Sequence, residues 1–104
     1  MATIDIKALR RAVAEDRYII TVHADRRMGE RRITQDDVKS VIETGDVIEE
    51  HLDTKPHPKV LIMAQLFGEP LYVSCAFDKR YAYIITVHRY DSEIWIDPWN
   101  RRRN

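Results

Sequence analysis

The chain has 104 residues, and its 17 Lys and Arg residues balance its 17 Asp and Glu residues to a formal charge of zero. This length allows one domain with a sizeable core, and the composition of 44% hydrophobic and 33% charged residues excludes an intrinsically disordered chain. A single cysteine, Cys75, excludes an internal disulfide framework and a cysteine-based zinc site, and its apolar neighbours indicate a buried, inert thiol. Zero net charge also excludes tight nucleic-acid binding by bulk charge alone, although a local basic site is still allowed.

The N-terminal part of the sequence contains helix and strand patterns in turn. Residues 18–22 are mostly β-branched or aromatic, which predicts a strand. Residues 23–32 contain six charged side chains and no β-branched one, which favours a short exposed helix. Residues 4–15 predict an amphipathic helix, because apolar side chains recur at helical spacing at Ile6, Leu9, Ala12 and Val13.

A further helix is predicted from Thr34 to Gly45. Thr34 suits the N-cap position, and Asp37 in the first turn complements the helix dipole. Gly45 is typical of a helix end, and one face of the helix is apolar, with Val38, Val41 and Ile42.

After Gly45 the pattern changes to strands. Gly68-Glu69 and Asp78-Lys79-Arg80 have the composition of hairpin turns, so the last three strands should form an antiparallel meander. Four strands are predicted, over residues 47–52, 59–67, 71–78 and 81–90.

These elements together predict an α+β fold, with helices packed on one face of a mostly antiparallel sheet of about four to five strands. We expect a single domain over residues 1–104. Within it, residues 1–17 would be a helical extension, residues 18–90 the core, and residues 91–104 a tail rich in Trp and Arg.

One hexapeptide, Tyr-Ile-Ile-Thr-Val-His, occurs at residues 18–23 and again at residues 83–88. The flanking sequences differ, so the chain is not a repeat protein, and chance similarity between two core strands explains the match. Each copy nevertheless ends in a histidine where apolar residues give way to charged ones. His23 and His88 therefore occupy natural positions for a functional site.

The neutral total charge conceals segregated patches. Residues 23–32 hold four arginines against two acids, a net charge of +2. Residues 36–53 hold seven acids against Lys39, a net charge of −6, and residues 101–103 add three arginines. A solvated helix face explains the first arginine cluster in plain structural terms. The functional alternative is an anion or phosphate site, because the planar guanidinium matches phosphate oxygens.

The candidate catalytic residues are a histidine and arginines at helical spacing. His23, Arg27 and Arg31 lie four residues apart and would share one helix face. Histidine titrates near neutrality, and arginines stabilise the charge that develops at phosphorus. This combination suits metal-independent RNA cleavage, in which a base activates the 2′-hydroxyl and an acid protonates the leaving 5′-oxygen. Residues on or between the strands could complete the pocket: Lys59, Arg80, His88 and Arg89.

Other interpretations use the same residues differently. His23 can be a helix-terminal residue whose ring is satisfied by a neighbouring carboxylate. The four histidines lack metal-ligand spacing, so no metal and no other cofactor is predicted. The strand at residues 47–52 can be an exposed edge that pairs with another chain. The tail has the aromatic and arginine content of an interface, or Trp95 simply covers the core while the arginines fray.

No targeting or membrane segment is predicted. The first residues lack the basic-then-apolar layout of a signal peptide, and the apolar runs are far shorter than the ~18 residues of a membrane span. We therefore expect a cytoplasmic protein without a membrane partner.

The block His23-Ala24-x-x-Arg27-Met28-x-Glu30-Arg31 resembles the bacterial family catalogued as domain of unknown function 4258. The resemblance covers roughly residues 18–103. Later matching pieces are Asp37-Val38, Val41-Ile42, Gly45, Val47-Ile48-Glu49, Pro58-Lys59, Gly68-x-Pro70-Leu71, Ile84-Ile85-Thr86-Val87, and Trp95 before the basic tail.

Members of that family look like relatives of the RelE-type ribonuclease toxins, including the MqsR-like and BrnT-like ones. They are often encoded beside a small zinc-finger protein that resembles an antitoxin. The resemblance implies a RelE-like fold, RNA as the substrate and the zinc-finger protein as the partner. It also implies roles for His23, Arg27, Arg31 and Lys59. The family more often has tyrosine at the position of His88, and either side chain can donate a proton or stack on a base.

The leading hypothesis is therefore a RelE-like toxin that cleaves RNA without a metal ion. His23 would act as acid or base, Arg27, Arg31 and Lys59 would stabilise phosphate charge, and His88 would assist. The alternative is a non-catalytic module that binds a partner protein through its edge strand and C-terminal tail. A homodimer is an assembly open to both hypotheses.

Overall fold

The computed structural model describes residues 4–102, so residues 1–3 of the predicted helical extension and residues 103–104 of the predicted tail lie outside the described residues. Three helices precede most of the strands. They are α1 (Ile6–Ala14), α2 (Val22–Arg31) and α3 (Gln35–Thr44). The strands are β1 (Tyr18–Ile20), β2 (Asp46–His51), β3 (Lys59–Leu66), β4 (Glu69–Phe77), β5 (Ala82–Arg89), β6 (Trp95–Asp97) and β7 (Asn100–Arg101).

Five strands form one sheet in the order β1-β5-β4-β3-β2. β2 with β3, β3 with β4 and β4 with β5 form antiparallel pairs. β1 pairs in parallel with the outer edge of β5. The sequence prediction of an α+β fold with a mostly antiparallel sheet is thus confirmed. The pairing of β4 with β5 skips Ile85, and such a bulge increases the local twist in the middle of β5.

The two faces of the sheet are covered differently. On one face, which we call the helix face, all three helices bury their apolar stripes against residues such as Val60, Val73 and Ile84. On the other, which we call the tail face, fully buried Trp95 packs with Leu61, Met63 and Tyr72. Burial of this apolar surface on both sides stabilises the sheet.

The tail is more ordered than the sequence indicated. Strands β6 and β7 form a small antiparallel hairpin of their own, which the strand patterns did not predict. Trp95 covers the core, as one of the two interpretations of the tail expected, since its side chain has no exposed surface. The fraying that this interpretation expected of the arginines is wrong for Arg101, which donates to the Glu49 carboxylate, and for Arg102, whose Nε donates to the Ser92 carbonyl at 2.7 Å.

The repeated hexapeptide has two different structures. Its second copy lies entirely in β5, whereas the first leaves the sheet after Ile20 and enters α2 at Val22. The predicted strand to residue 22 was therefore too long. Thr21 is the N-cap of α2, and its hydroxyl accepts a hydrogen bond from the Ala24 N–H at 3.2 Å. The residues that follow decide the outcome, because the first copy precedes helix-forming residues and the second remains paired with β4.

The predicted start and end of α3 are both confirmed. Thr34 and Asp37 form a capping box, in which each side chain accepts a hydrogen bond from the other residue's backbone N–H. Gly45 ends α3 where the chain crosses β3. A Cβ atom there would lie 2.5 Å from the Val41 carbonyl oxygen and 2.7 Å from that of Met63.

The first predicted hairpin turn lies one residue earlier than expected. Leu66 and Glu69 are register partners, so the two-residue turn is Phe67-Gly68, and Glu69 belongs to β4. Both turn residues have positive φ, 54° and 81°, as a type I′ turn requires. The second predicted turn is confirmed, with the Asp78 carboxylate accepting hydrogen bonds from the backbone N–H groups of Arg80 and Tyr81.

Across residues 4–102, no helix combines the length and the apolar character needed to cross a membrane.

Candidate functional site

A cleft with three arginines opens where α2 and β5 end beside the tail. Its volume is about 510 Å³, and Arg31, His88, Arg89 and Arg101 contribute its charged and titratable walls together with the acid Asp91. Arg31 comes from the last turn of α2, His88 and Arg89 from the end of β5, and Arg101 from β7. We call this site the arginine cleft.

The His88 ring is held at the wall of the cleft by stacking. It lies on the Tyr72 ring with centroids 4.9 Å apart and planes 10° from parallel. Tyr72 stacks in turn on Trp95 at 4.7 Å, and the Arg101 guanidinium lies 4.7 Å from the centre of the Trp95 ring. Strand register explains why His88 stacks on Tyr72, because the two residues are direct partners on adjacent strands.

The surroundings of His88 favour its neutral form. Burial lowers the pKa of the imidazole below its usual value of 6.5, and the positive charges of Arg31 and Arg101 lower it further. The acceptor at the Arg89 carbonyl, 3.3 Å from Nδ1, acts in the opposite direction. A neutral imidazole beside guanidinium groups can accept a proton while the cations hold an anion.

Arg31 and Arg89 are fixed to the ends of their elements. Arg31 Nη1 donates to the Val87 carbonyl at 3.4 Å, on the edge of β5 that β1 leaves open. Arg89 Nη2 donates to the Arg31 carbonyl at 3.1 Å, and its Nη1 contacts the Glu69 carboxylate at 3.3 Å. These contacts leave guanidinium N–H groups for an anion, since each group carries five donors.

Arg101 joins the arginine cleft to the far edge of the sheet. Its Nε and Nη2 donate to the two carboxylate oxygens of Glu49 in β2, at 2.9 and 3.0 Å. The Glu49 pKa is lowered, first by these hydrogen bonds and then by one from His51. Sequence reasoning missed Arg101 as a site residue. The only available signal was the arginine and tryptophan content of the tail, which did not reveal where the tail folds.

The structure separates the predicted helix-face residues. Arg31 and His88, two of the predicted site residues, both line the arginine cleft. His23 is exposed in the first turn of α2, about 12 Å along the helix axis from Arg31. Arg27 is exposed between them and pairs with Glu30 at 3.4 Å. The structure therefore does not bring His23 together with His88.

Lys59 also lies outside the arginine cleft, although it shares the tail face with His88. It begins β3 and pairs with Ala76 in β4, whereas His88 pairs with Tyr72, whose partner in β3 is Met63. Four residues along β3 and two strands across the sheet separate Lys59 from His88, a distance of about 16 Å. The structure thus does not bring Lys59 together with His88.

Among residues 4–102, we find neither a metal site nor a reactive thiol. Within residues 4–102, no three His, Cys, Asp or Glu side chains are grouped to hold a metal ion. Cys75 is buried, and this burial raises its pKa to about 12, so the thiol stays protonated. A second cavity of about 550 Å³ lies between the start of α1 and the loop before β3, but its walls are mainly apolar.

The comparisons with known proteins point to a family and to no individual relative. No curated protein and no solved structure matched the chain. The family model described as "Domain of unknown function (DUF4258)" matches residues 20–89, which extend from the end of β1 to the end of β5 and include Arg31, His88 and Arg89. The chain therefore belongs to the DUF4258 family.

Proposed function

We propose that this protein is a metal-independent endoribonuclease of RelE-like type, acting as the toxin of a toxin–antitoxin pair. The observation that carries the proposal is the position of His88 in the wall of one cleft that Arg31, Arg89 and Arg101 also line. Burial and the nearby positive charges lower the pKa of its imidazole, which favours the neutral form. The stack on Tyr72 orients the ring before substrate arrives. Such preorganised positive charge is where enzymes gain most of their stabilisation of a phosphorane-like transition state.

In the proposed reaction, the substrate is the phosphodiester of single-stranded RNA. His88 takes the proton of the ribose 2′-hydroxyl, and the 2′-oxygen forms a bond to phosphorus. The bond from phosphorus to the 5′-oxygen breaks, and the 5′-oxygen takes a proton from water in the open cleft. The products are a 2′,3′-cyclic phosphate and a 5′-hydroxyl, and the arginines hold the charge on the non-bridging oxygens throughout.

The test is cleavage of a fluorescent oligoribonucleotide in EDTA. We expect Arg31→Ala to lower the rate about 10²-fold or more, because one guanidinium leaves the arginine cleft. Arg26→Ala, an exposed arginine on another side of α2, is the matched control and should cleave at the wild-type rate. Equal background cleavage by wild type and Arg31→Ala would reject the proposal.

A second candidate function is a non-catalytic module that binds a partner protein, with the small zinc-finger antitoxin-like protein as the expected partner. It is favoured by a cleft of about 690 Å³ between β2 and the tail. The apolar side chains Ile96 and Trp99 on this cleft are 59% and 47% exposed. Strand β2 is an edge of the sheet and carries Ile48 into the same cleft.

Expression in bacterial cells separates the two candidates. A toxin should arrest growth, and His88→Ala should relieve the arrest while the protein remains folded by circular dichroism. Trp99→Ala should instead leave the arrest intact and weaken pulldown of the neighbouring gene product. No arrest by wild type, together with a partner complex lost in Trp99→Ala, would favour the module.

A further inference from the structure

Part of the tail face lies beyond the cover that the described residues of the tail provide. The β6–β7 hairpin and Trp95 lie over Leu61, Met63 and Tyr72. Beyond this cover, the same face carries four half-buried side chains with polar groups, which we call the polar floor: Lys59, Ser74, Tyr83 and Thr86. A half-exposed polar strip on a sheet face is open to a ligand that can use hydrogen bonds and charge.

Strand register makes the polar floor continuous with the arginine cleft. Thr86 lies two residues before His88 on β5, so their side chains point to the same face. Thr86 pairs with Ser74 across to β4. One row further on, Tyr83 pairs with Ala76, which pairs with Lys59. The floor thus leads from the mouth of the cleft to the opposite end of the sheet.

Tyr83 is a fixed aromatic surface at the far end of the floor. Its hydroxyl donates to the Asp78 carboxylate at 2.8 Å, and that carboxylate is held by two backbone N–H groups of its own turn. These hydrogen bonds lower the pKa of Asp78 to about 2, so the acceptor is ionised at neutral pH. The His57 ring lies parallel to the Tyr83 ring, at 6° and 6.1 Å between centroids.

Lys59 supplies positive charge in the same row as Tyr83. Within residues 4–102, no carboxylate forms an ion pair with its ammonium group. Lys59 and Tyr83 lie two strands apart, about 10 Å from each other, with Ala76 between them. A cation and a rigid aromatic ring in one row are the two elements with which proteins hold a single nucleic-acid strand: a charge for the backbone and a ring for a base.

We propose that the polar floor binds the RNA strand on one side of the cleaved bond, with Lys59 at a phosphate and Tyr83 stacked on a base. This inference rests on the proposed ribonuclease function and names where the rest of its substrate lies. The charge complementarity of Lys59 with phosphate and the continuity with the arginine cleft favour RNA over a protein strand. Because Lys59 is about 16 Å from His88, these residues should act on longer RNA and not on a dinucleotide.

The experiment compares two probes with the full chain. Binding is measured by fluorescence anisotropy with an oligoribonucleotide of about ten nucleotides whose 2′-hydroxyls are methylated to prevent cleavage. Chemistry is measured by cleavage of an unmodified dinucleotide in EDTA. Lys59→Ala and Tyr83→Ala should each weaken binding of the oligonucleotide about tenfold and leave dinucleotide cleavage unchanged.

Two further variants separate RNA contacts from folding effects. Tyr83→Phe keeps the ring and should bind like wild type even if Tyr83→Ala is poorly folded. Lys7→Ala removes the same charge from an exposed position on α1, and α1 lies on the helix face, the opposite side of the sheet from the polar floor. This variant should also bind like wild type.

The outcomes judge the two proposals separately. If both Lys59→Ala and Tyr83→Ala bind the oligonucleotide like wild type, the proposal that the polar floor binds RNA is overturned. A loss of cleavage in His88→Ala would in that case still support the proposed ribonuclease function. Dinucleotide cleavage that is unchanged in His88→Ala would overturn the proposed function. A wild-type protein that does not bind the oligonucleotide would overturn the floor.

Discussion

The imidazole of His88 is stacked on the ring of Tyr72, with centroids 4.9 Å apart and planes 10° from parallel. This pair is the inner end of a column that continues through Trp95 to Arg101 and the Glu49 carboxylate on β2. The candidate base at one edge of the sheet is therefore positioned by the tail and by a strand at the opposite edge. Several expected outcomes depend on this column.

Removal of the Trp95 side chain should cost the most stability. Trp95→Ala is expected to lower the free energy of unfolding by about 3–5 kcal/mol, because a large, fully buried ring is replaced by a cavity. Trp95→Phe should cost less, since it keeps a ring and removes the buried indole N–H, which has no hydrogen-bond partner within the described residues. Urea denaturation measures both. A loss below about 1 kcal/mol in Trp95→Ala would contradict the packing described here.

The pKa of His88 should respond to the arginines. Burial, Arg31 and Arg101 lower it, so an NMR titration of the folded protein should give a midpoint below the ordinary 6.5. Arg31→Ala should raise this midpoint toward 6.5, whereas the control Arg26→Ala should not. A midpoint at or above 6.5 in wild type would contradict the lowered pKa of His88.

The same shift affects stability in a defined pH range. The unfolded chain takes up a proton on His88 at about pH 6.5, before the folded protein does. The fold should therefore lose stability as the pH falls from 6.5 toward the lower pKa of the folded state. His88→Gln should remove that part of the pH dependence in urea denaturation. An unchanged pH profile in this variant would contradict the lowered pKa.

The Glu49–Arg101 pair should stabilise the fold except in acid. Hydrogen bonds from Arg101 and then His51 lower the Glu49 pKa below its ordinary value of 4.5. The stabilisation is thus present above pH 4.5 and is lost as the pH falls through the lower pKa of the folded state. Glu49→Gln should cost about 0.5–1 kcal/mol at pH 7 and nothing in strong acid, and the exposed neighbour variant Glu50→Gln should cost little at either pH. An equal effect of both variants would contradict a role for the pair.

Replacement of Gly29 and of Gly45 by alanine should change the stability of the fold in opposite directions. Gly29 lies inside α2, and an added Cβ would have no atom within 4 Å. Gly29→Ala should raise stability by about 0.5–1 kcal/mol through helix propensity. Gly45→Ala should lower it by at least about 1–3 kcal/mol, because its Cβ would clash with the carbonyl groups of Val41 and Met63. Thermal unfolding of the two variants checks both signs, and a stabilised Gly45→Ala would refute the close crossing of α3 and β3.

Local sequence patterns were sufficient for most of the fold. Apolar spacing identified α1, charged composition identified α2, and strand patterns identified β2 to β5, while Thr34 with Asp37 identified the start of α3. These features depend on neighbours within a few residues of each other. The parallel pairing of β1 with β5 joins residues that are distant in the sequence, so local patterns did not predict it. The β6–β7 hairpin is local, but its two strands have only three and two residues, too few for a strand pattern to identify.

The candidate site was only partly accessible from sequence for the same reason. Helical spacing correctly aligned His23, Arg27 and Arg31 on α2, but it could not show that only the last of them reaches the end of β5. The repeated hexapeptide made His23 and His88 equivalent in sequence, whereas one became helical and exposed and the other half-buried in a strand. Arg101 enters the cleft through the fold of the tail, which no local pattern described.

The central claim is that His88, and not His23, performs proton transfer in the arginine cleft. The most direct measurement is single-turnover cleavage of an oligoribonucleotide in EDTA by wild type, His88→Ala and His23→Ala. We expect a rate reduced about 10²–10⁴-fold in His88→Ala and a wild-type rate in His23→Ala. A loss of activity confined to His23→Ala, or equal rates in all three proteins, would contradict it.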